Sequence, residues 1–360
     1  MRGIIMTKTI LRLTLSGALV VLTGIMILAA KFLTPVVFSF YPDFSRGAIQ
    51  VIAAITSIVP IALCELLLVF LLFWFVFTLV RAIKRARMVR WLTGVLLSLC
   101  ILVTVFVGLW GLNYYAPPMQ ERLNIESRQY SAQELKEATI YYRDMANSLA
   151  PQVKRDADGV MAEYDFDTLA EQAGEGFETL AETYACFDGS TVRVKKLLSS
   201  PLMGKIGMTG GFICFTGESC VSTTTHTASM PFTMCHEIGH RMAFAREDEA
   251  NFAGFLACAA NERPEFRYSG YYAAFRYCYN ALYKADPQAA LEVWSGVCAE
   301  IAADWNASVE HYEAIRSETA AEVTDDVYDT YLKSFSVESG VQSYGEVTDL
   351  LLDWYFGGKA

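Results

Sequence analysis

The chain has 360 residues, 53% of them hydrophobic and 13% aromatic, with a mean hydropathy of +0.28. That is high for a soluble protein and low for one immersed in a bilayer throughout, so the length divides into about two domains in different solvents. Residues 1–112 hold ten Lys/Arg and two acids; residues 113–360 hold the remaining 19 and 37 of the totals of 29 and 39, a net of −18, which excludes nucleic-acid binding, a task that needs a basic face.

Three apolar runs occupy the first 112 residues, at about 10–30, 49–80 and 91–110. About 20 apolar residues suffice to cross a bilayer, so residues 1–112 read as a membrane domain of three transmembrane helices. The first run follows a basic leader like that of a signal peptide, but "LAAKF" is a poor cleavage site and more spans follow, so it is expected to stay uncleaved. The second run is longer than a span needs: either its first part lies along the outer surface or Pro60 kinks a tilted helix. Glu65 within it is either a functional intramembrane carboxylate or an interfacial one. The loop "RAIKRARMVR" (81–90) carries five basic residues and no acid, which assigns it to the cytoplasm. Three crossings then leave the N-terminus cytoplasmic and residues 113–360 extracytoplasmic, in a multi-pass protein of the cell membrane whose partner is the lipid bilayer.

Residues 113–130 read as a linker, because Pro117 and Pro118 suit no helix interior, and 131–360 as the outer domain. Ser131 with Glu134 forms a capping-box signature for a helix from 131. "DFDTLAEQAGEGFETLAETYACF" reads as a helix interrupted at Gly174 and Gly176. "GFICF" and "SCVSTTT" alternate around "TGES" and read as two strands with a turn between them. Everything after about 229 reads helical, including "YGEVTDLLLDWY" as a core helix. The fold class expected is mainly α, with one small sheet before a histidine-bearing helix. Nine cysteines include no CxxC pair; seven lie outside the spans, and Cys214 and Cys220 flank the turn closely enough to bridge if they face each other.

The chemistry concentrates in "CHEIGHRMAFAREDEAN" (235–251). His236 and His240 stand at i and i+4, one turn apart on one helix face, where both imidazoles reach one zinc ion. Glu237 projects beside that ion as a general base. Ser229 is placed to cap the helix and Pro231 to occupy its first turn. A straight helix would carry Glu247 about 10 Å beyond His240, at 1.5 Å per residue. A carboxylate ligand from this acidic run therefore requires the helix to end after His240 and fold back within "RMAFAR", with a new helix starting at "EDEAN". Glu247 is the preferred third metal ligand and Glu249 the alternative, about 200° away on the new helix, so that both cannot serve; Asp248 is weaker. Asn251, at i+4 from Glu247, is expected to orient a histidine from behind the ligands. Tyr268, Tyr271, Tyr272 and His226 are candidate donors to an oxyanion, with core packing the stronger reading for the tyrosines and a solvated loop for His226.

HExxH followed by Glu-x-x-Ala-Asn resembles the gluzincin class of zinc metallopeptidases, although the interval of seven residues between His240 and Glu247 is shorter than in most of them. A closer resemblance is to a bacterial family, the domain-of-unknown-function 3810 family. It rests on the three spans, "PFT.CHEIGH" with "AREDEANF", "RYSGYY" (267–272) and "DTYLK…GVQSYGEVTDLLLDWY". The gluzincin resemblance implies a zincin-like α+β catalytic domain and Glu247 as the third zinc ligand. It also implies a peptide or protein substrate bound as an added strand on the sheet edge before the HExxH helix. The expected activity is peptide-bond hydrolysis in a membrane-anchored protein. The rival reading is a non-catalytic zinc-binding membrane receptor or sensor that keeps the peptidase fold.

Overall fold

The computed structural model describes residues 2–189, 192–319 and 346–358, with residues 322, 324, 326 and 330. The stretches at 329–333 and 340–345 that contribute to the family resemblance lie outside the described residues, Thr330 aside.

The membrane-type helices come first: α1 (Arg2–Phe32), α2 (Thr34–Val37), α3 (Tyr41–Thr56), α4 (Leu63–Lys84) and α5 (Met88–Leu109). Three segments are long and apolar enough to cross a bilayer, Thr7–Phe32, Leu63–Lys84 and Met88–Leu109. Of α4, only Ala82 is buried; a helix this apolar and this little covered by protein suits a lipid surround. α1 and α5 run side by side in the same direction. The Arg12 guanidinium donates to the Arg90 carbonyl (2.6 Å), and the Thr23 and Thr104 hydroxyls bond at 2.9 Å further along. α4 lies against α5 and joins it through a tight turn at Arg85–Arg87, with Ala86 at φ 48°.

The expected second span, 49–80, is two elements. The chain leaves the helix at Ser57, passes Pro60 and restarts at Leu63. α3 buries Tyr41, Ser45, Ile49 and Ala53, a stripe at i, i+4, i+8 and i+12, because it packs on protein along one face only. Ser45 Oγ donates to the Leu109 carbonyl at the end of α5 (2.7 Å). The spans that match the sequence reading are thus the first, the last and the second half of the middle one.

Residues 113–130 are packed rather than strung out. A 3₁₀ turn (Gly111–Tyr115) and α6 (Met119–Leu123) bury Leu112, Asn113, Tyr114, Met119 and Leu123. The prolines set an extended step into α6, and Met119 enters the main core.

The outer part is mainly helical. α7 (Ala132–Leu149) has the expected capping box between Ser131 and Glu134. α8 (Phe166–Gln172) and α9 (Glu175–Ala181) are separate helices parted at Gly174. β1 (Lys195–Lys196), α10 (Ser200–Lys205), β2 (Gly210–Ile213) and β3 (Glu218–Val221) follow. The two expected strands pair antiparallel, Gly210 opposite Val221 and Ile213 opposite Glu218. Gly217 takes φ +63° in the turn between them, a conformation that favours glycine. Sequence reading missed β1, which is too short to alternate; it pairs parallel with β3 and makes the sheet order β1-β3-β2. Then come α11 (Met230–Arg241), α12 (Glu247–Ala260), α13 (Pro264–Ala285), α14 (Pro287–Trp294), α15 (Ala299–Ile315) and α16 (Glu346–Phe356). α12 buries every residue from Glu247 to Cys258, enclosed by α9, α11, α13 and α16. Phe252, Phe255, Phe266 and Phe275 are all within 2% of full burial, each worth about 1.5–3 kcal/mol of transfer free energy.

All nine cysteines are free thiols. Cys214 and Cys220 do not bridge: Cys214 packs with Ile49 and Trp110, while the Cys220 sulfur faces that of Cys64 on α4 at 3.8 Å. β3 is thereby set against the start of α4. Glu218 on β3 accepts the free N–H groups of Leu63 (2.9 Å) and Cys64 (2.7 Å). It also pairs with the Lys195 ammonium at 2.5 Å, which donates to the carbonyls of Thr56 and Ile61. Glu65 accepts the N–H groups of Leu198 and Ser199 (2.6 and 2.9 Å). The carboxylate is thus held by the outer part, which fits the interfacial of its two sequence readings and ties α4 to residues 198–199.

Candidate metal centre

α11 starts with Pro231 in its first turn, as the sequence suggests, but Ser229 makes no side-chain cap. Ser269 of α13 serves instead: its hydroxyl accepts the Phe232 N–H (3.0 Å) and donates to the Ala228 carbonyl (2.7 Å). A free N–H of the first turn needs some acceptor, and tertiary packing supplies it from far along the chain.

The helix ends at Arg241, where the ligand geometry requires it to. The Phe244 N–H returns to the Gly239 carbonyl and the Ala243 N–H to the His240 carbonyl, with Ala243 at φ +70°. This is a Schellman motif with alanine in the left-handed position that glycine usually takes, which is why no Gly or Pro marked the bend. The bend also orients a histidine. The Phe244 carbonyl lies 2.8 Å from His240 Nδ1; the bond assigns the proton to Nδ1 and leaves Nε2 free to ligate.

The chain then returns as α12, with Glu247, Asp248 and Glu249 in the first turn, where the helix dipole favours acids. α11 and α12 cross closely because Gly254 faces α11: a Cβ there would stand 3.0 Å from the His236 nitrogen. The crossing sets Glu247 between the two histidines. Its carboxylate oxygens lie 3.4 Å from His236 Nε2 and 3.5 Å from His240 Nε2, and the imidazoles stand 4.7 Å apart, nearly perpendicular. These three side chains could hold a metal ion.

Glu249 turns the other way. It accepts the Met119 N–H (2.8 Å) and pairs with Arg122 and Arg246, a buried structural ion cluster; Asp248 is not among the three residues that converge. Asn251 lies in the cleft wall, but the group that orients His240 is the Phe244 carbonyl, and the Asn251 Nδ2 has no hydrogen-bond partner among the described residues.

Glu237 is 4% exposed, and its Oε2 has no hydrogen-bond partner among the described residues. Burial raises its pKa to about 7, against the nearby histidines. Burial also disfavours charge on His240, but the Glu247 carboxylate outweighs this and lifts it to about 9. Burial pushes Glu247 up as well, and the two histidines reverse this, holding its carboxyl well below the usual range. Gly210, at the start of β2, faces Glu237 so closely that a Cβ would meet Oε1 at 2.4 Å.

The site opens into a cleft of about 540 Å³. One wall is β2, whose outer edge pairs with no strand among the described residues. Another is the α13 stripe of Tyr272, Arg276, Tyr277 and Asn280. Of the four candidate oxyanion donors, only Tyr272 lines the cleft. Tyr268 is fully buried and donates to Asp304, and Tyr271 packs between Tyr142 and Phe255. His226 is a buried residue rather than a solvated one: it is 7% exposed and edge-on to His311. Sequence reading missed Arg276, Tyr277 and Asn280, although their helical spacing after Tyr272 was there to find. It also missed Phe106 and Trp110 from the end of α5, which line the cleft. Trp110 Nε1 donates to the His240 carbonyl at 3.2 Å.

A second group, Cys64, Glu218 and Cys220, also has metal-ligand chemistry, but the Lys195 ammonium already holds its carboxylate and opposes a cation there.

Neither the curated proteins nor the solved structures contain a significant match to the chain. Residues 40–352, from α3 into α16, match the family described as Protein of unknown function (DUF3810), and the chain belongs to that family.

Proposed function

We propose that the protein is a membrane-anchored zinc metallopeptidase with the active site His236, His240, Glu247 and Glu237 in a zincin-like domain. The observation that carries this reading is the spacing of the three donors. Tetrahedral ligands at about 2.1 Å from zinc stand about 3.4 Å apart, against 3.4 and 3.5 Å between the imidazole nitrogens and the carboxylate oxygens. A charge-assisted hydrogen bond would be shorter, at about 2.7–2.9 Å. The two-imidazole, one-carboxylate donor set suits zinc with an open fourth position. Bound there, zinc supplies Lewis acidity that activates water and polarises a peptide carbonyl.

The chain's own groups do the rest. Glu237 takes a proton from the attacking water as its oxygen adds to the carbonyl carbon. It returns that proton to the amide nitrogen as the C–N bond breaks. Phe244 keeps His240 in its ligating tautomer. The outer edge of β2 accepts an extended peptide as an added strand, and Tyr272, Arg276 and Tyr277, which line the cleft, are the donors assigned to the developing oxyanion. The basic turn between α4 and α5 assigns that end to the cytoplasm and the cleft to the outside.

The test combines metal content with Glu237→Gln. One zinc per chain in both forms is expected, with hydrolysis of a peptide library falling about 10²–10⁴-fold in the variant. Zinc without hydrolysis in the wild type favours the receptor or sensor; absence of zinc removes both readings.

A further inference from the structure

The cleft is walled partly by a membrane-spanning helix, and this bears on what can enter it. Phe106 belongs to the last turn of α5, and Trp110 caps that helix; both line the cleft. The Trp110 ring lies 6.2 Å from that of His240, so one aromatic side chain separates the candidate metal ligands from the end of the span. Trp110 is itself buried there, packed with Ile49, Tyr114 and Cys214, so the end of the apolar helix is built into the wall of the site.

The edge strand points the same way. β2 begins at Gly210 beside Glu237 and runs toward Phe215, whose ring lies 6.4 Å from that of Phe106. The Thr56 hydroxyl holds the hairpin tip at the Thr216 carbonyl (2.8 Å). Ile213 and Phe215 at that end are 37% and 38% exposed. Exposed apolar side chains beside a helix of spanning length mark a surface for an apolar partner or a membrane. Gly210 and Phe215 are five residue steps apart, at most about 17 Å at about 3.3 Å per residue, the paired strand itself ending at Ile213 with the turn beyond it.

Resting on the peptidase reading, we infer that the substrate is a polypeptide anchored in the same bilayer. It enters the cleft from the Phe106–Phe215 end, pairs with β2, and is cut within about five residues of the membrane surface. The reaction is ordinary hydrolysis: water's hydroxyl goes to the anchored or released acyl fragment and its proton to the new amine. The outer part's net charge of −18 does nothing to gather acidic soluble peptides, whereas a shared bilayer confines an anchored one near the cleft.

The experiment places the full chain in vesicles of zwitterionic phospholipid. One peptide library carries a randomised stretch fused directly to a transmembrane helix; a second carries the same stretch without the helix. Product termini are read by mass spectrometry. The anchored library is expected to be cut at least about tenfold faster, through effective concentration, with cuts clustered within about five residues of the span. Phe215→Asp should lower that ratio. Equal rates for the two libraries, or cuts spread without regard to distance from the span, overturn this inference and leave the peptidase reading standing. Cleavage of neither library overturns both.

Discussion

Gly210 shows how much at this site depends on a single missing methyl group. A Cβ placed 2.4 Å from Glu237 Oε1 must push that carboxylate aside, and a displacement of about 1 Å of a reacting group costs on the order of 10²-fold in turnover. On the proposed peptidase reading, Gly210→Ala should therefore lose about that much hydrolysis without losing metal affinity, because the substituted position touches none of the three candidate ligands. Full activity in the variant would show that Glu237 does not need its present position. His226 reports on a different property. Burial holds its pKa down to about 4, against the ordinary 6.5 of a histidine, with Asp304 opposing and His311 and Arg276 reinforcing. The unfolded chain then binds more protons between these values, so stability is complete above pH 6.5 and falls as the pH drops toward 4. The size is up to about 3 kcal/mol. Urea unfolding in detergent across that range should be less pH-dependent for His226→Gln than for wild type; identical slopes would exclude the ring as the cause.

At the scale of elements, the α11–α12 bend is the joint that makes three ligands converge. Ala243 sits at φ +70°, a conformation costing about 1–2 kcal/mol for a residue with a Cβ and more for a β-branched one. Ala243→Val is expected to destabilise the fold by about 2 kcal/mol or more and to weaken zinc affinity, since the Phe244 carbonyl that orients His240 is the next residue. Calorimetry with a chelator titration checks both, and unaltered zinc affinity would separate the bend from the site. The seam between β3 and α4 depends on the Lys195–Glu218 pair, whose side chains are 3% and 1% exposed. Glu218→Ala strands a buried ammonium, which costs about 3–5 kcal/mol. The double variant Lys195→Met/Glu218→Met should recover part of this. Hydrogen exchange at residues 57–65 and 195–198 should quicken in the single variant, and protection equal to wild type there would argue that the seam has other supports.

At the scale of the whole molecule, the three apolar helices and the outer part are joined into one body by α3, Trp110 and the Glu218 and Glu65 contacts. The proposed orientation rests on charge rather than on packing. In intact cells, a cysteine introduced at Ala86 should resist a membrane-impermeant thiol reagent, while one at exposed Asp156 should react. The reverse pattern would place the cleft in the cytoplasm.

Much of this was legible in the sequence because it depends on local periodicity and short-range spacing. The apolar runs, the capping box at Ser131, the β2–β3 hairpin, the His236–His240 pair and the need for a break before Glu247 all follow from 3.6-residue and 2-residue repeats and from the reach of one side chain. What the sequence could not decide involves partners distant along the chain. Ser269 rather than Ser229 satisfies the start of α11, and the Phe244 carbonyl, which no local pattern singles out, orients His240. Glu249 is drawn to Arg122 and Arg246, and His226 is buried against His311. Residues 49–80 break into two helices because α3 finds a protein face to cover, and Phe106 and Trp110 come to line the cleft because the hairpin docks against α5. In each case several acceptors or faces were locally equivalent, and only the packing of the whole chain selects which one is within hydrogen-bonding or van der Waals reach.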